Sequence, residues 1–285
     1  MSLTGRTAIV TGAAAGLGRA EALALAAGGA TVVVNDIGEP KDVVEEIEAA
    51  GGKAVAVAGD VGERATADAL TQAALDLGGL DIVVNNAGVL RDKMLFSMSD
   101  DDWDTVLRVH LRGHFLLSRN AAKHWRERSK ADGKPVYGRL VNTASEAFLI
   151  GSPGQPNYAA AKAGITALTM SAARGLAKYG VRANAICPRA RTAMTEGVFG
   201  AAPAEGADPL SVEHVAPFVA YLASPAAEHV NGQVFVVHGG TVSLVEAPRI
   251  ERRWRLDELE TSVSAFFAER DPGRMFAATE ILEES

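Results

Sequence analysis

Tyr158 and Lys162 stand four residues apart in "NYAAAKAG", residues 157–164. On an α-helix such a pair shares one face, one turn above the other, so a phenol and an ammonium can address the same point. Alone, the pattern describes a half-buried tyrosine beside a solvated lysine. What else the chain supplies decides whether it carries chemistry. A phenol titrates near ~10, too high for a base at neutrality, and bringing it to about 7 takes roughly 4 kcal/mol at about 1.36 kcal/mol per unit. One ammonium about 4 Å away supplies roughly that at an effective dielectric of about 20. The expectation is therefore a general base, with Lys162 holding the Tyr158 phenol near neutrality.

Such a pair needs a ligand to act on, and a second group of residues offers to hold one. "TGAAAGLG", residues 11–18, follows a β-branched run and opens a helical pattern. Gly12, Gly16 and Gly18 let the backbone turn sharply and approach a ligand. The turn they share with Ala15 and Leu17 then presents free helix N–H groups to a diphosphate. The second β-branched run ends in "VVVND". Asp36 can accept both hydroxyl hydrogens of an adenosine ribose and would repel a 2′-phosphate. The three residues inside the glycine loop are alanines and offer that phosphate no cation, so NAD is favoured over NADP. A strand-end aspartate that merely caps a turn is the other reading of Asp36. "GDV" (59–61) and "NNAG" (85–88) end the next two runs. Asp60 can accept from an adenine amino group beside Val61. Asn86, Ala87 and Gly88 can line the dinucleotide trough, or the asparagines can satisfy backbone groups at a buried strand end.

The elements that must position these groups are legible as an alternation. Strand-like runs at 6–11, 31–36, 53–58, 81–86, 138–143, 181–186 and 233–238 are nearly continuous in apolar residues, as parallel strands covered on both faces are. Helical patterns occupy 17–28, 40–50, 63–77, 100–128, 157–178 and 212–223. This alternation predicts an α/β doubly wound, mostly parallel, seven-stranded sheet with helices on both faces. Residues 128–138, polar with Gly and Pro, are expected to form a loop. Residues 1–246 are expected to form one dinucleotide-binding and catalytic domain. Residues 247–285 are expected to be a helical extension that packs on the core or a neighbouring subunit, with an amphipathic helix in "RIERRWRLDELETSVSAFFAER".

Composition narrows the class. The 285 residues carry a net charge of −7, which argues against a nucleic-acid partner. The single cysteine, Cys187, permits no internal disulfide and reads as an inert core thiol. No signal-peptide zones, no run of eighteen apolar residues and no peroxisomal terminus are seen. The expectation is a cytoplasmic enzyme with a small-molecule substrate, no membrane insertion and no metal.

In order along the chain, TG-x-x-x-G-x-G, the strand-end Asp36, NNAG, a serine and Y-x-x-x-K resemble the short-chain dehydrogenase/reductase family over almost the whole core. The resemblance places the family's serine at Ser145 in "NTASEAF", thirteen residues before the tyrosine. It implies that Tyr158 is the general acid/base, that Lys162 is its helper and a ligand of the nicotinamide ribose, and that Ser145 donates to the substrate oxygen. It also implies a loop after Pro188 in which Thr192 bonds the carboxamide, followed by a lid over 193–210, with Arg189 and Arg191 open to substrate, cofactor or solvent. One departure stands out. His110, in "RVHLRG", occupies the position at which many members carry a relay asparagine. It is kept as a catalytic candidate beside a structural reading, since its backbone carbonyl can still meet a relay water.

Within the family, "VVVND", "GGKAV", "NNAGVLRD", "RVHLRG", "GQPNYAAAKAG" and "MTEGV" are especially similar to the (3R)-hydroxyacyl-CoA dehydrogenase portion of peroxisomal multifunctional enzyme type 2. That likeness implies NAD-dependent interconversion of a secondary alcohol and a ketone on an acyl thioester or a steroid alcohol. It also implies a homodimer or homotetramer built on the two long helices. The alternatives are a 3-oxoacyl-carrier-protein reductase, against which Asp36 weighs, and a non-catalytic dinucleotide-binding regulator, which would have no use for Ser145, Tyr158 and Lys162.

Overall fold

A computed structural model describes residues 1–195, 200–203, 206–247 and 250–270. Its centre is a sheet of β1 (Thr7–Thr11), β2 (Thr31–Asp36), β3 (Lys53–Ala58), β4 (Ile82–Asn85), β5 (Gly138–Thr143), β6 (Val181–Pro188), β7 (Val234–His238) and β8 (Thr241–Leu244), in the order β3-β2-β1-β4-β5-β6-β7-β8. The first seven strands pair in parallel, with Ile9 of β1 opposite Val33 on one side and Val83 on the other. Among the described residues the sheet thus has eight strands where seven were expected. The added one, β8, folds back antiparallel on β7 through Gly239 and Gly240, whose φ angles of 54° and 85° suit a two-residue hairpin turn.

Helices cover both faces. On one lie α1 (Gly16–Ala27), α2 (Lys41–Ala49) and α8 (Ala216–Ala223); on the other lie α3 (Arg64–Asp76), α5 (Gly113–Asp132) and α7 (Pro156–Leu176). The strands divide their side chains between the two cores with a period of two, as the pleat requires. Ala8, Val10, Val32 and Val34 meet Leu25, Ile47 and Val219 on one side. Ile9 and Val33 meet Leu70, Leu117 and Trp125 on the other. That two-sided burial is why the strands read as unbroken apolar runs.

Two expectations about the helices before β5 need correction. The segment 128–138 is not all loop, because α5 continues to Asp132 and stops at Gly133, whose φ of 64° is the left-handed turn that ends helices. The long helical pattern at 100–128 is also divided. α4 (Asp100–Leu107) opens with a reciprocal cap between Ser99 and Asp102 and runs into a widened π-type turn at Arg108–Arg112 before α5 begins.

The short helix α6 (Ala147–Ile150) follows Ser145. Beyond β8 the expected long amphipathic helix is broken into turns at Leu256–Glu258 and Leu259–Val263 and a short helix α9 (Ser264–Glu269). Arg252, Arg253 and Arg255 crowd like charges into its first half, and Trp254, Phe266 and Phe267 gather into their own ring cluster. Residues 271–285 lie outside the described residues. No helix among the described residues is long and apolar enough to cross a membrane.

Candidate active site

Strand order reverses between β1 and β4, and a cleft of about 380 Å³ opens there at the carboxyl edge of the sheet, the place where open α/β sheets hold ligands. Every site residue named above lines it except Gly18, Arg189 and Arg191: Gly12, Ala15, Gly16 and Leu17 come from the first loop, Asp36, Asp60 and Val61 from the strand ends beyond. Asn86, Ala87, Gly88 and His110 line its middle, with Ser145, Tyr158, Lys162, Pro188 and Thr192 at the far end. Gly18 lies beneath, and its role is packing. A Cβ there would stand 2.3 Å from Gly12 O and 2.5 Å from Asn86 Nδ2.

The glycine turn and the "NNAG" turn are interlocked. Asn86 donates from its backbone to Thr11 Oγ1 (3.0 Å) and from its amide to Thr11 O (3.2 Å) and Gly12 O (3.1 Å). Gly12, at φ +63°, lies so close to Ala87 that a Cβ would meet Ala87 Cα at 2.7 Å. Asn86 therefore satisfies backbone carbonyls of the glycine turn while it walls the cleft. Asn85 points elsewhere and joins a buried ladder, Ser118–Asn85–Asn142–Thr169, that stitches β4 and β5 to α5 and α7.

A dinucleotide fits this frame. The first turn of α1 has no side-chain cap, so its N–H groups are available to a diphosphate. Asp36 is set beside the same loop: its Oδ2 accepts from Ala14 N–H at 2.9 Å and its Oδ1 from Ile37 N–H at 2.8 Å. Each oxygen keeps a lone pair for a ribose hydroxyl. Asp60 is more committed, accepting from Gly62 N–H (2.8 Å) and from Arg108 Nη1 (2.7 Å). Thr192 is folded onto Thr195, whose hydroxyl accepts from its N–H at 2.9 Å. Of the expected lid, residues 196–199 and 204–205 lie outside the described residues.

The acid–base group sits where α7 comes closest to the sheet. Pro156 starts the helix, and Gly164 lets it press on Leu111, which a Cβ would meet at 2.9 Å. Asn157 locks the start by donating to Arg91 O and Asp102 O, both at 3.0 Å. Lys162, fully buried, places its ammonium 5.3 Å from the Tyr158 ring centre and donates to Thr143 O at 2.6 Å. The Tyr158 ring is partly exposed along the cleft, with its hydroxyl end deep among protein atoms.

The electrostatics differ from the expectation. Burial pushes the Tyr158 phenol up to about 12, against the hydrogen bond with Ser145, the largest influence favouring the phenolate. Burial also pushes the Lys162 ammonium down to about 7. The expectation that Lys162 alone holds the phenol near neutrality is therefore corrected. The charge-pair argument assumed a surface-like dielectric and omitted the cost of drying both groups.

His110 is buried on the widened turn, and its ring meets Tyr158 edge-on at 5.2 Å. Its Nε2 is 2.8 Å from Val89 O and 3.0 Å from Val89 N, so one tautomer donates and the other accepts. Burial, then the charge of Lys162, hold its pKa well below the ordinary histidine value, so the ring is neutral. Its backbone carbonyl accepts from Gly113 N–H and lies at the His114 ring. Gly88 is the matching half of this contact, since a Cβ there would stand 2.2 Å from His110 Cε1.

Arg189 and Arg191 are bound within the protein, to Glu146 and Asp208 respectively. Glu146 was not anticipated. A lone glutamate after Ser145 carries no local signal of a partner forty-three residues on.

A doubly wound parallel sheet whose switch-point cleft opens on a glycine turn is the architecture of a dinucleotide-binding α/β protein. The family model described as short chain dehydrogenase matches residues 6–201, and the chain belongs to that family; it is a short-chain dehydrogenase/reductase enzyme. It is 61% identical over 300 residues to the hydroxyacyl-CoA dehydrogenase ChsB1 of Mycobacterium tuberculosis, covering 99% of this chain and 95% of that protein. It is 41% identical over 247 residues to peroxisomal multifunctional enzyme type 2 of Mus musculus, covering 84% of this chain and 32% of that longer protein. Among solved structures, a short chain dehydrogenase from Mycobacterium avium superposes with a TM-score of 0.84 at 46% identity, covering 95% of this chain and 98% of that one.

Proposed function

We propose that this enzyme oxidises a 3-hydroxyacyl-CoA thioester to the 3-oxoacyl thioester with NAD. The observation that carries the substrate class is the 61% identity, along nearly the full length of both chains, to a hydroxyacyl-CoA dehydrogenase. The carboxylate of Asp36, held beside the glycine turn by Ala14 N–H, supports NAD. It would face a 2′-phosphate with like charge, and the loop's alanines offer no cation in compensation.

In this reading Ser145 donates to the substrate oxygen and steadies charge that develops there. Tyr158 takes the hydroxyl proton. Lys162, anchored on Thr143 O, holds the ribose and favours the phenolate. A bound nicotinamide would supply the hydride acceptor, and its positive charge would favour the phenolate further. His110 positions Val89 and buttresses the Tyr158 ring as a neutral imidazole. The reading includes a homodimer or homotetramer built on the faces of α4, α5 and α7, where Trp103 and Phe115 are exposed.

The test is the appearance of reduced nicotinamide from 3-hydroxyacyl-CoA thioesters and from hydroxysteroids, each with NAD and with NADP. Thioester oxidation with NAD is expected to exceed the other combinations. Dominant NADPH-linked reduction of a 3-oxoacyl thioester would replace the reading with a biosynthetic reductase, and nucleotide binding without turnover would favour a regulator. Asp36→Ala is expected to shift the NADP-to-NAD preference by about tenfold or more toward NADP. An unchanged ratio of kcat/KM values would mean that another group reads the ribose.

A further inference from the structure

The loop after β5 carries Ser145, and the loop after β6 carries Pro188 and Thr192. An ion pair joins them just outside the cleft wall. Arg189 Nε lies 2.6 Å from Glu146 Oε2, and its Nη2 lies 2.8 Å from Oε1, a fork-to-fork geometry. Both side chains are only 11% exposed, so solvent screens the pair weakly. Glu146 directly follows Ser145 and leads into α6, whose first turn closes on it through Leu149 N–H and Ile150 N–H. Arg189 directly follows Pro188, and its N–H is fastened to Val237 O of β7 at 3.0 Å. Neither residue lines the cleft, whereas their neighbours Ser145, Pro188 and Ala190 do.

We propose that the Glu146–Arg189 pair is a positioning device that sets the Ser145 hydroxyl against the nicotinamide-side loop. The inference rests on the dehydrogenase reading above. Two parallel N–H···O bonds between planar groups restrict rotation as well as separation, which a single contact does not. The Ser145 hydroxyl accepts from Ala147 N–H at 3.2 Å within its own loop and bonds to the Tyr158 hydroxyl of α7, while its backbone moves with that loop. The loop after β6 is tied on its far side by Arg191 to Asp208 at 3.0 Å. The Glu146–Arg189 pair joins these two loops outside the cleft wall, just beyond the paired ends of β5 and β6, where Ala144 N–H also donates to Ile186 O at 2.7 Å. Donor and acceptor misplaced by an ångström cost about a hundredfold in rate, so a joint of this kind belongs where the two loops meet.

Two conservative variants test it. Glu146→Gln keeps the shape and removes the charge; Arg189→Lys keeps the charge and removes the planar fork. Each is expected to lower kcat by about tenfold to a hundredfold with a smaller change in KM. Each is also expected to weaken NAD binding by about tenfold while leaving the affinity for ADP-ribose, which lacks the nicotinamide, unchanged. In a Ser145→Ala background Glu146→Gln should cost less than about twofold more, because the group it positions is gone. Equal loss of NAD and ADP-ribose affinity, a fall in melting temperature with kcat and NAD affinity intact, or full additivity with Ser145→Ala would each overturn the proposal. The nucleotide arms do not depend on the substrate. A wild-type chain that binds NAD but oxidises no alcohol removes the dehydrogenase reading, and the NAD to ADP-ribose ratio still decides whether the pair sets the loop.

Discussion

Tyr158→Phe is expected to lower turnover by about a thousandfold, with NAD affinity altered by less than about twofold. The substitution deletes one hydroxyl and leaves the ring, so the edge contact to His110 at 5.2 Å and the position of Lys162 over the ring at 5.3 Å both remain. What disappears is the group that exchanges a proton with the substrate oxygen. The measurement pairs steady-state formation of reduced nicotinamide with a binding titration. If the variant kept a tenth or more of the wild-type rate, the proton would be leaving by another route and the assignment of the base would fall.

The largest effect on stability is expected at Glu21, one turn beyond Leu17 on α1. Its carboxyl is fully buried in α1, neither oxygen has a hydrogen-bond partner among the described residues, and burial raises its pKa from 4.5 to about 8. Between those two values the folded chain holds a proton that the unfolded chain has released. Stability therefore declines as pH rises from 4.5 through about 8 and stays depressed above it. The whole shift corresponds to on the order of 5 kcal/mol at about 1.36 kcal/mol per unit. Glu21→Met keeps a similar volume and removes the titrating group. It should stabilise the folded chain by a few kcal/mol at alkaline pH (roughly 3) and by far less near the carboxyl's ordinary pKa. Urea unfolding of both chains at the two ends of that range measures the difference. A gain of equal size at both ends would show that ionisation is not its source.

The seven parallel strands and most helices are legible because the strands other than the partly exposed edge strand β3 are largely buried on both faces and the helices on one. β8 was missed because its four residues are largely exposed and alternate weakly, although the Gly239–Gly240 pair between two β-branched runs was a usable hairpin signal. The far end of α5 reads as loop because polar residues before a glycine look alike in a helix end and a turn. The residues of the cleft were legible through their motifs. Their electrostatics were not: the spacing of Tyr158 and Lys162 states which groups are near each other, whereas the pKa of each depends on how much water the other elements exclude. The same blindness hid Glu146–Arg189, since an ion pair between two loops leaves no mark in either loop alone.

The contact between Gly12 and Ala87, with Asn86 clasping the carbonyls behind it, makes two distant stretches of chain a single mechanical part. Neither can be exchanged alone. A chimaera that imports a nucleotide turn from another member of the family would need to import its own counterpart from beyond β4 as well, and breeding new cofactor preferences into this scaffold amounts to choosing matched halves.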